Sequence, residues 1–247
     1  MFMEKKSTLV IDELFARKSV RAYEEREIEP EKKRLILEAA CQAPSAGNQQ
    51  LYTIIDVTDQ GLKDRLAVTC DNQPFIAKAP LVLIFCADAQ KWFDAYRFCG
   101  LNPRKPGAGD ILLAVEDAAI AAQNAVAAAH SLGIGSCYIG DILERCEQHR
   151  QLLSLPDYVI PAVMLVFGYP TSQQKDRKKP ERAPMEFIVH ENQYCRMDEG
   201  QLKSMLGHNV KSGTYEEWLD AFCRRKYMSD FSREMSRSVK AYLEEFL

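Results

Sequence analysis

A long run of small apolar residues in the middle of the chain constrains the fold more than any other feature. Alanine occupies most positions of the segment 118–129, and the surrounding pattern predicts one helix from Asp110 to about Leu132. Alanine is the strongest helix former, and a helix that is apolar nearly all round has to be buried in a core or an interface. Its small side chains let neighbouring elements approach closely. We therefore expect the rest of the chain to be built around this helix.

Helical and strand-like segments alternate along the rest of the chain. Helices are predicted at 8–16, from Pro30 onward, at 60–69, at 144–153 and over 199–246, strands at 53–57, 81–86, within 133–140, at 160–168 and at 187–190, and a loop at 98–109. The continuous apolar run 81–86 is typical of a central strand that is buried on both faces. Short apolar strands separated by helices predict an α+β or α/β sandwich, in which helices cover one central sheet.

The charge balance argues against several kinds of partner. The chain of 247 residues has a net charge of −3, so it has no bulk positive field to attract nucleic acid or an anionic membrane. We see no apolar run that approaches the roughly 20 residues needed to span a bilayer. Met1–Lys6 leads into a charged stretch without a signal-peptide core, so we expect a cytoplasmic protein.

The cysteines and histidines indicate neither a disulfide framework nor a metal site. The 8 cysteines form no C-x-x-C pair, and neither they nor the 4 histidines have metal-ligand spacing. We interpret the cysteines as reduced, buried, small hydrophobic residues, and we expect no metal.

Two segments in the first fifth of the chain have the residue types of a ligand site. Residues 17–21 read Arg-Lys-Ser-Val-Arg, and an arginine fork fits phosphate oxygens in bidentate fashion. The alternative is a solvated basic turn. Residues 43–50 read Ala-Pro-Ser-Ala-Gly-Asn-Gln-Gln, whose small residues would let a flat ligand approach the backbone and whose amides match the imide edge of a flavin. The alternative is an ordinary loop that ends a helix.

Two later segments are weaker signals on their own. Gly133, Gly135 and Gly140 do not have the spacing of a dinucleotide-binding G-x-G-x-x-G loop, and they follow a helix instead of opening one. A tight helix C-cap is the alternative interpretation there. Residues 175–182 form a basic loop after a predicted buried strand, where they could reach an anion or simply be solvated.

Taken together and in this order, these segments resemble the nitroreductase family of FMN enzymes, in particular its oxygen-insensitive NADPH nitroreductase and flavin reductase branch. The resemblance covers roughly residues 8–200. It implies an α+β sandwich with a central mixed sheet covered by helices, assembled as an intertwined homodimer with FMN at the subunit interface. It also implies an FMN-binding domain over residues 1–200 and a C-terminal helical extension over 201–247 that packs on the same domain or on the partner.

The resemblance also implies which residues would bind FMN. The phosphate and ribityl chain would be held by cations and a hydroxyl from both ends of the matched region: Arg17, Lys18, Ser19, Arg21, Lys179 and Arg182. Lys178 is an alternative to Lys179, because the match needs a shift of one residue. The isoalloxazine ring would be lined by Ser45, Ala46, Gly47, Gln73, Tyr138, Ile139, Gly140 and Asp141, the last four through their backbone. Close relatives often have glycine in place of Asp141, and a carboxylate near flavin N5 would disfavour anionic acceptors.

The implied function is passage of two electrons from NADPH or NADH through flavin N5 to nitroaromatics, quinones or free flavin, by a ping-pong mechanism. The cofactor carries the chemistry, so no catalytic side chain is expected. A flavin-dependent dehydrogenase or dehalogenase, and a flavin-binding protein without turnover, are the alternatives. Preference between NADPH and NADH stays open, with Arg104, Lys105, Arg224 and Arg225 as candidates for the 2′-phosphate.

Overall fold

A four-stranded sheet forms the centre of the fold in the computed structural model, which describes residues 8–247. Its strands are β1 (Tyr52–Asp56), β2 (Leu81–Asp88), β3 (Gly135–Ile139) and β4 (Val159–Gly168). They lie in the order β1-β2-β4-β3, and each neighbouring pair is antiparallel. Every residue of β2 is buried, which confirms the predicted central strand.

The pairing of the strands corrects the expectation of a mixed sheet. Strands β1 and β4 run in one direction and β2 and β3 in the other, and no two strands of the same direction are neighbours. Within the described residues, parallel pairing is limited to an isolated bridge between Ser19 and Ser136. The α+β class itself is confirmed.

Helices account for most of the remaining chain. In the described region they are α1 (Leu9–Ala16), α2 (Pro30–Cys41), α3 (Gln60–Thr69), α4 (Pro74–Ala77), α5 (Gln90–Phe98), α6 (Ala108–Ser131), α7 (Cys146–Leu153), α8 (Ser172–Asp176), α9 (Glu199–Leu206), α10 (Tyr215–Lys226) and α11 (Asp230–Leu243). The predicted strand at 187–190 is wrong. A short 3-10 turn, Met185–Phe187, stands there, and Ile188 and Val189 are exposed instead of paired in the sheet.

The alanine-rich helix α6 is the core helix that the sequence predicts. It packs against α2 on one side and against β2 and β4 on the other. Its buried face is mostly alanine, and no larger side chain would allow the same close approach to the sheet. By length and composition this helix could also cross a bilayer, which corrects the expectation that no run is long enough. Its packing against the sheet is that of a core helix.

The described chain divides into two compact units. The first contains the residues up to Arg177 together with Glu234–Leu247, and the second is Lys178–Arg233. The returning segment is held in the first unit by Tyr242, which is fully buried, and by Phe246, whose ring lies 5.5 Å from that of Tyr158. This division does not coincide with the predicted boundary at residue 200, because residues 178–200 join the following helices. Met1–Lys6, for which the sequence predicts no signal peptide, lie outside the described residues.

All eight cysteines are free, as the sequence predicts, but only half of them are buried. The buried ones are Cys70, Cys86, Cys137 and Cys146, and the exposed ones are Cys41, Cys99, Cys195 and Cys223. Among residues 8–247 there is no group of three or more potential ligands arranged to hold a metal ion.

Candidate functional site

The segment 17–24 lies against the edge of the sheet at β3 and at the end of β4. The Val20 N–H donates to the Ser136 carbonyl at 2.9 Å, and the Glu24 N–H donates to the Tyr169 carbonyl at 2.8 Å. Two glycines in the strands make this close approach possible. A Cβ on Gly135 would lie 2.6 Å from Val20 Cγ2, and a Cβ on Gly168 would lie 2.6 Å from the Tyr23 ring. Gly135, the first residue of β3, is therefore required by packing, whereas Gly133, with a φ of 76°, serves the turn between α6 and β3.

We expect Gly135→Ala to loosen the whole 17–21 segment. The new methyl would overlap Val20 on three atoms, and overpacking of this kind costs about 1–3 kcal/mol. Urea unfolding of the FMN-free protein measures this loss. Gly109→Ala is the matched control, because the added Cβ meets nothing within 4 Å in the first turn of α6. Equal stability of the two variants would show that the contact with Val20 is not needed.

Arg17 carries the most informative side chain of this segment. Its guanidinium lies over the Tyr138 ring at 5.6 Å from the centroid. Its Nε and Nη2 atoms are buried and have no hydrogen-bond partner among residues 8–247. A buried donor that bears charge and lacks an acceptor is costly, so an acceptor from outside the described residues would stabilise these atoms, and an anion suits the charged guanidinium best.

Ser19 and Arg21 converge with Arg17 near one buried thiol. Burial raises the pKa of Cys137, while Arg21, Ser19 and Arg17 each lower it. All three side chains therefore lie near the same sulfur in β3. The guanidinium of Arg21 also lies 6.0 Å from the centroid of the Phe75 ring. The structure thus brings together three of the residues that the sequence assigns to the phosphate.

The side chain of Lys18 is hydrogen-bonded to backbone carbonyls. Its ammonium donates to the carbonyl of Lys175 at 2.6 Å and to that of Arg177, at the C-terminal end of α8. Lysine at a helix C-terminus satisfies free carbonyls and favours the helix dipole. This geometry does not support the prediction that Lys18 binds the cofactor. Arg177, which sequence reasoning noted only as part of a basic loop, donates to the Ser19 carbonyl at 2.5 Å and so fixes the segment from the other side.

The loop 45–51 is held by a buried carboxylate that sequence reasoning missed. Asp117 of α6 is 2% exposed and accepts from the Ala46 N–H at 2.9 Å and the Leu51 N–H at 3.0 Å. The Ser45 hydroxyl accepts from the Gln50 N–H at 3.0 Å. Gly47 has a φ of 55°, a conformation that glycine adopts without strain. The predicted ring-lining residues Ser45, Ala46 and Gly47 thus stand on a loop that is fixed to the core helix.

The segment 138–141 leads out of the sheet. The Tyr138 hydroxyl donates to Gln123 Oε1 at 3.1 Å, and burial raises the pKa of Tyr138 to about 12. Ile139 is buried, whereas a Cβ on Gly140 would meet nothing within 4 Å, which leaves open space beside the backbone there. A flat ligand could approach the backbone at this point.

Gln73 and Asp141 form a direct pair. The Gln73 amide Nε2 donates to Asp141 Oδ2 at 3.0 Å and to the Cys70 carbonyl at 2.8 Å. Two predicted ring-lining residues that are distant in sequence therefore meet. Their contact with a ring stays a prediction.

The remaining predicted cations are those expected at the FMN phosphate from the basic loop and those expected at the 2′-phosphate of NADPH. Lys179 and Arg182 belong to the second unit, so their role at the phosphate stays a prediction, as does the choice between Lys178 and Lys179. Of the candidates for the 2′-phosphate, Arg104 forms a two-point ion pair with Asp110, and Arg224 pairs with Asp220 at 2.8 Å. Both therefore already have carboxylate partners.

The arrangement fits FMN. The buried Nε and Nη2 atoms of Arg17, with Ser19 and Arg21 nearby, supply hydrogen-bond donors suited to a phosphate. The open space beside the backbone of Gly140 suits a planar ring. The fold is an α+β sandwich, and the donors beside β3 are of the kind that suits an anion. The chain belongs to the nitroreductase family, whose sequence profile matches residues 14–169.

Individual relatives are similar over nearly the whole chain. An FMN reductase [NAD(P)H] of Bacillus subtilis is 33% identical over 239 residues, which cover 95% of this chain and 91% of that protein. An oxygen-insensitive NADPH nitroreductase of Salmonella typhimurium is 31% identical over 96% of this chain and 95% of its own length. Among solved structures, B. megaterium NfrA2 superposes with a TM-score of 0.82, at 29% identity and with 97% of each chain covered.

Proposed function

We propose that this protein is an FMN-dependent oxidoreductase that passes two electrons from NADPH or NADH to nitroaromatics, quinones or free flavin. The observation that carries the proposal is the side chain of Arg17, whose guanidinium atoms Nε and Nη2 are buried and have no acceptor among the described residues. The names of the relatives, FMN reductase and NADPH nitroreductase, support the same activity.

The chain's own residues would hold the cofactor at two ends. Arg17, Ser19 and Arg21 would bind the phosphate, and the expectation from the family resemblance that Lys179 and Arg182 bind the same group stays a prediction. The isoalloxazine ring would be lined by the loop Ser45–Gly47, by the Gln73 side chain and by the backbone of residues 138–141. Asp117 keeps that loop in place through two backbone N–H groups. When bound, FMN supplies two-electron transfer through N5.

The nicotinamide that donates the electrons and the acceptor that receives them would bind one after the other at the same open site, which is a ping-pong mechanism. A hydride carries two electrons and one proton, and a quinone that takes up two electrons and two protons obtains the second proton from solvent. No side chain has to act as a nucleophile in this scheme. Tolerance of chemically different acceptors follows, because a shared stacking site selects for flatness more than for particular functional groups.

We propose a homodimer as the working assembly, in the cytoplasm. On the first unit, α1 and α6 expose large apolar side chains, with Phe15 at 59% and Leu112 at 64% exposure. Exposed apolar surface of this kind is typical of an interface. A second copy of the chain is the occupant that the family resemblance implies, and light scattering should give twice the chain mass of 28.1 kDa.

The test starts from the purified protein. We expect a yellow protein, or a colourless one that becomes yellow with added FMN, and anaerobic bleaching of that colour by NADPH. Turnover is then measured with nitrofurazone, a benzoquinone and free FMN, each with both nicotinamides. A protein that refuses FMN would rule out the proposal. Reduction without repeated turnover on any acceptor would favour a flavin-binding protein that is not an enzyme.

A further inference from the structure

Glu144 is a buried carboxyl group that the proposed function leaves unused. It follows the short 3-10 turn Gly140–Leu143, which extends from β3, and only 5% of it is exposed. Its Oε1 atom is buried and has no hydrogen-bond partner among residues 8–247. A buried carboxylate without a donor is costly, so burial alone favours the protonated form.

The groups around Glu144 are mostly acidic. Burial is the largest cause that raises the pKa of Glu144 to about 7, and Asp141 of the same turn, Asp71 after α3 and Glu234 of α11 add to it, while Arg145 alone opposes them. The backbone N–H of Arg145 donates to Glu234 Oε1 at 3.2 Å.

Two further titratable groups lie beside this acidic cluster, and both are held in their neutral form. Burial raises the pKa of the Cys70 thiol and lowers that of His149. Neither supplies a compensating positive charge. Glu144 is therefore the group of this cluster that changes its charge near neutral pH.

Asp141 connects this cluster to the flavin site. Its backbone carbonyl accepts from the Glu144 N–H at 3.0 Å, and its carboxylate accepts from Gln73, a predicted ring-lining residue. The carboxyl groups of Asp141 and Glu144 thus stand on one turn, at the end of the segment 138–141. When both are ionised, two negative charges lie beside the ring-lining backbone, and when Glu144 holds a proton there is one.

We propose that Asp141 and Glu144 form a proton-controlled charge filter, which discriminates against negatively charged acceptors more strongly when Glu144 is ionised. This inference rests on the proposed function, because it concerns the acceptor site of that reaction. Charges in a partly buried site interact through a low effective dielectric, so one added charge changes the preference by about tenfold. Glu144 acts through the field at the site and is a specificity-determining residue, not a catalytic one.

The experiment compares two acceptors of similar size and shape that differ in charge, and it follows how the ratio of their rates changes with pH. The native FMN-loaded enzyme is assayed with 4-nitrobenzamide, which is neutral, and 4-nitrobenzoate, which is an anion, between pH 5.5 and 8.5. We expect the ratio of kcat/KM values, neutral over anionic, to rise with pH through about 7. Glu144→Gln should make that ratio constant at its low-pH value, and Asp141→Asn should lower it at every pH. Glu25→Gln, which removes the same charge at an exposed position, should keep the native profile.

A second readout needs no cofactor. A carboxyl whose pKa is raised on folding contributes stability that is complete below its unfolded value of 4.5 and is lost as the pH rises through about 7. In the FMN-free protein, the urea midpoint should therefore fall over this pH range, and the fall should be smaller in Glu144→Gln. This measurement also shows that each variant folds.

The outcomes separate this inference from the function on which it rests. If no acceptor is turned over, the proposed function fails, and the filter fails with it. Turnover with a ratio that does not depend on pH, or a Glu144→Gln variant that keeps the native pH dependence, overturns the filter and leaves the function intact.

Discussion

Replacement of Arg17 by alanine is expected to weaken FMN binding by roughly 10- to 100-fold. The side chain presents two buried donor atoms that have no acceptor among residues 8–247, and a phosphate would satisfy both. Hydrogen bonds to charged groups contribute about 1.5–3 kcal/mol, which corresponds to this change in Kd. Titration of the FMN-free protein, followed by the quenching of flavin fluorescence, gives the Kd directly.

Lys18→Ala is the matched comparison, because it removes the same charge from the next residue. The ammonium of Lys18 already donates to two carbonyls near the end of α8, so FMN affinity should change by less than about fivefold. The FMN-free Arg17→Ala protein should be at least as stable as the native one, since a buried unsatisfied cation is removed. A large effect of Lys18→Ala and none of Arg17→Ala would place the phosphate elsewhere.

Replacement of Asp117 by alanine is expected to cost roughly 3 kcal/mol of unfolding free energy, because two backbone N–H groups lose their acceptor at once. The Leu51 N–H is buried and the Ala46 N–H partly so. The loop 45–51 should detach from α6, so FMN affinity should fall as well. Urea unfolding of the FMN-free protein measures the first effect, and flavin titration measures the second.

Two variants make this prediction specific. Asp117→Asn keeps one acceptor oxygen and should lose about half as much stability. Glu116→Ala removes an exposed carboxylate one position earlier in α6 and should stay within about 0.5 kcal/mol of the native protein. If Asp117→Ala were as stable as Glu116→Ala, the carboxylate would not be what holds the loop.

Elements whose signals are local were predictable from the sequence. Helix α3 was predicted with its observed bounds, and the structure shows that the Asp59 carboxylate caps its first turn by accepting from the Leu62 N–H. The buried strand β2 and the core helix α6 were evident from composition alone. Helix α5 was missed, because its first turn has no side-chain cap and it is rich in aromatic and charged residues. The antiparallel pairing depends on which strands meet, and the sequence of one strand does not reveal this.

The residues of the candidate site also divide into those that a local motif identifies and those that depend on partners distant in sequence. Arg17, Ser19 and Arg21 stand together in the chain, and a short sequence motif can identify them. Asp117 and Glu144 could not have been selected in this way, because each matters through partners or neighbours that are distant in sequence. An aspartate on the buried face of an alanine-rich helix is a usable signal in retrospect, since a buried carboxylate has to be bonded to something.

The path of the chain through the two units has a consequence for how such a protein can vary. The second unit is an insertion with both ends fastened, since the chain leaves the first unit after Arg177 and rejoins it at Glu234. The buried ring of Tyr242 then anchors the terminus beyond it. A segment whose two ends are fixed in the first unit can become longer or shorter, or be replaced, without a change in the sheet. The reason is that loop closure costs only about 0.6 kcal/mol per doubling of length. Sequence differences between members of such a family are therefore expected to accumulate within this segment, and far less in the core helix α6 and the strands, which all precede it in the chain.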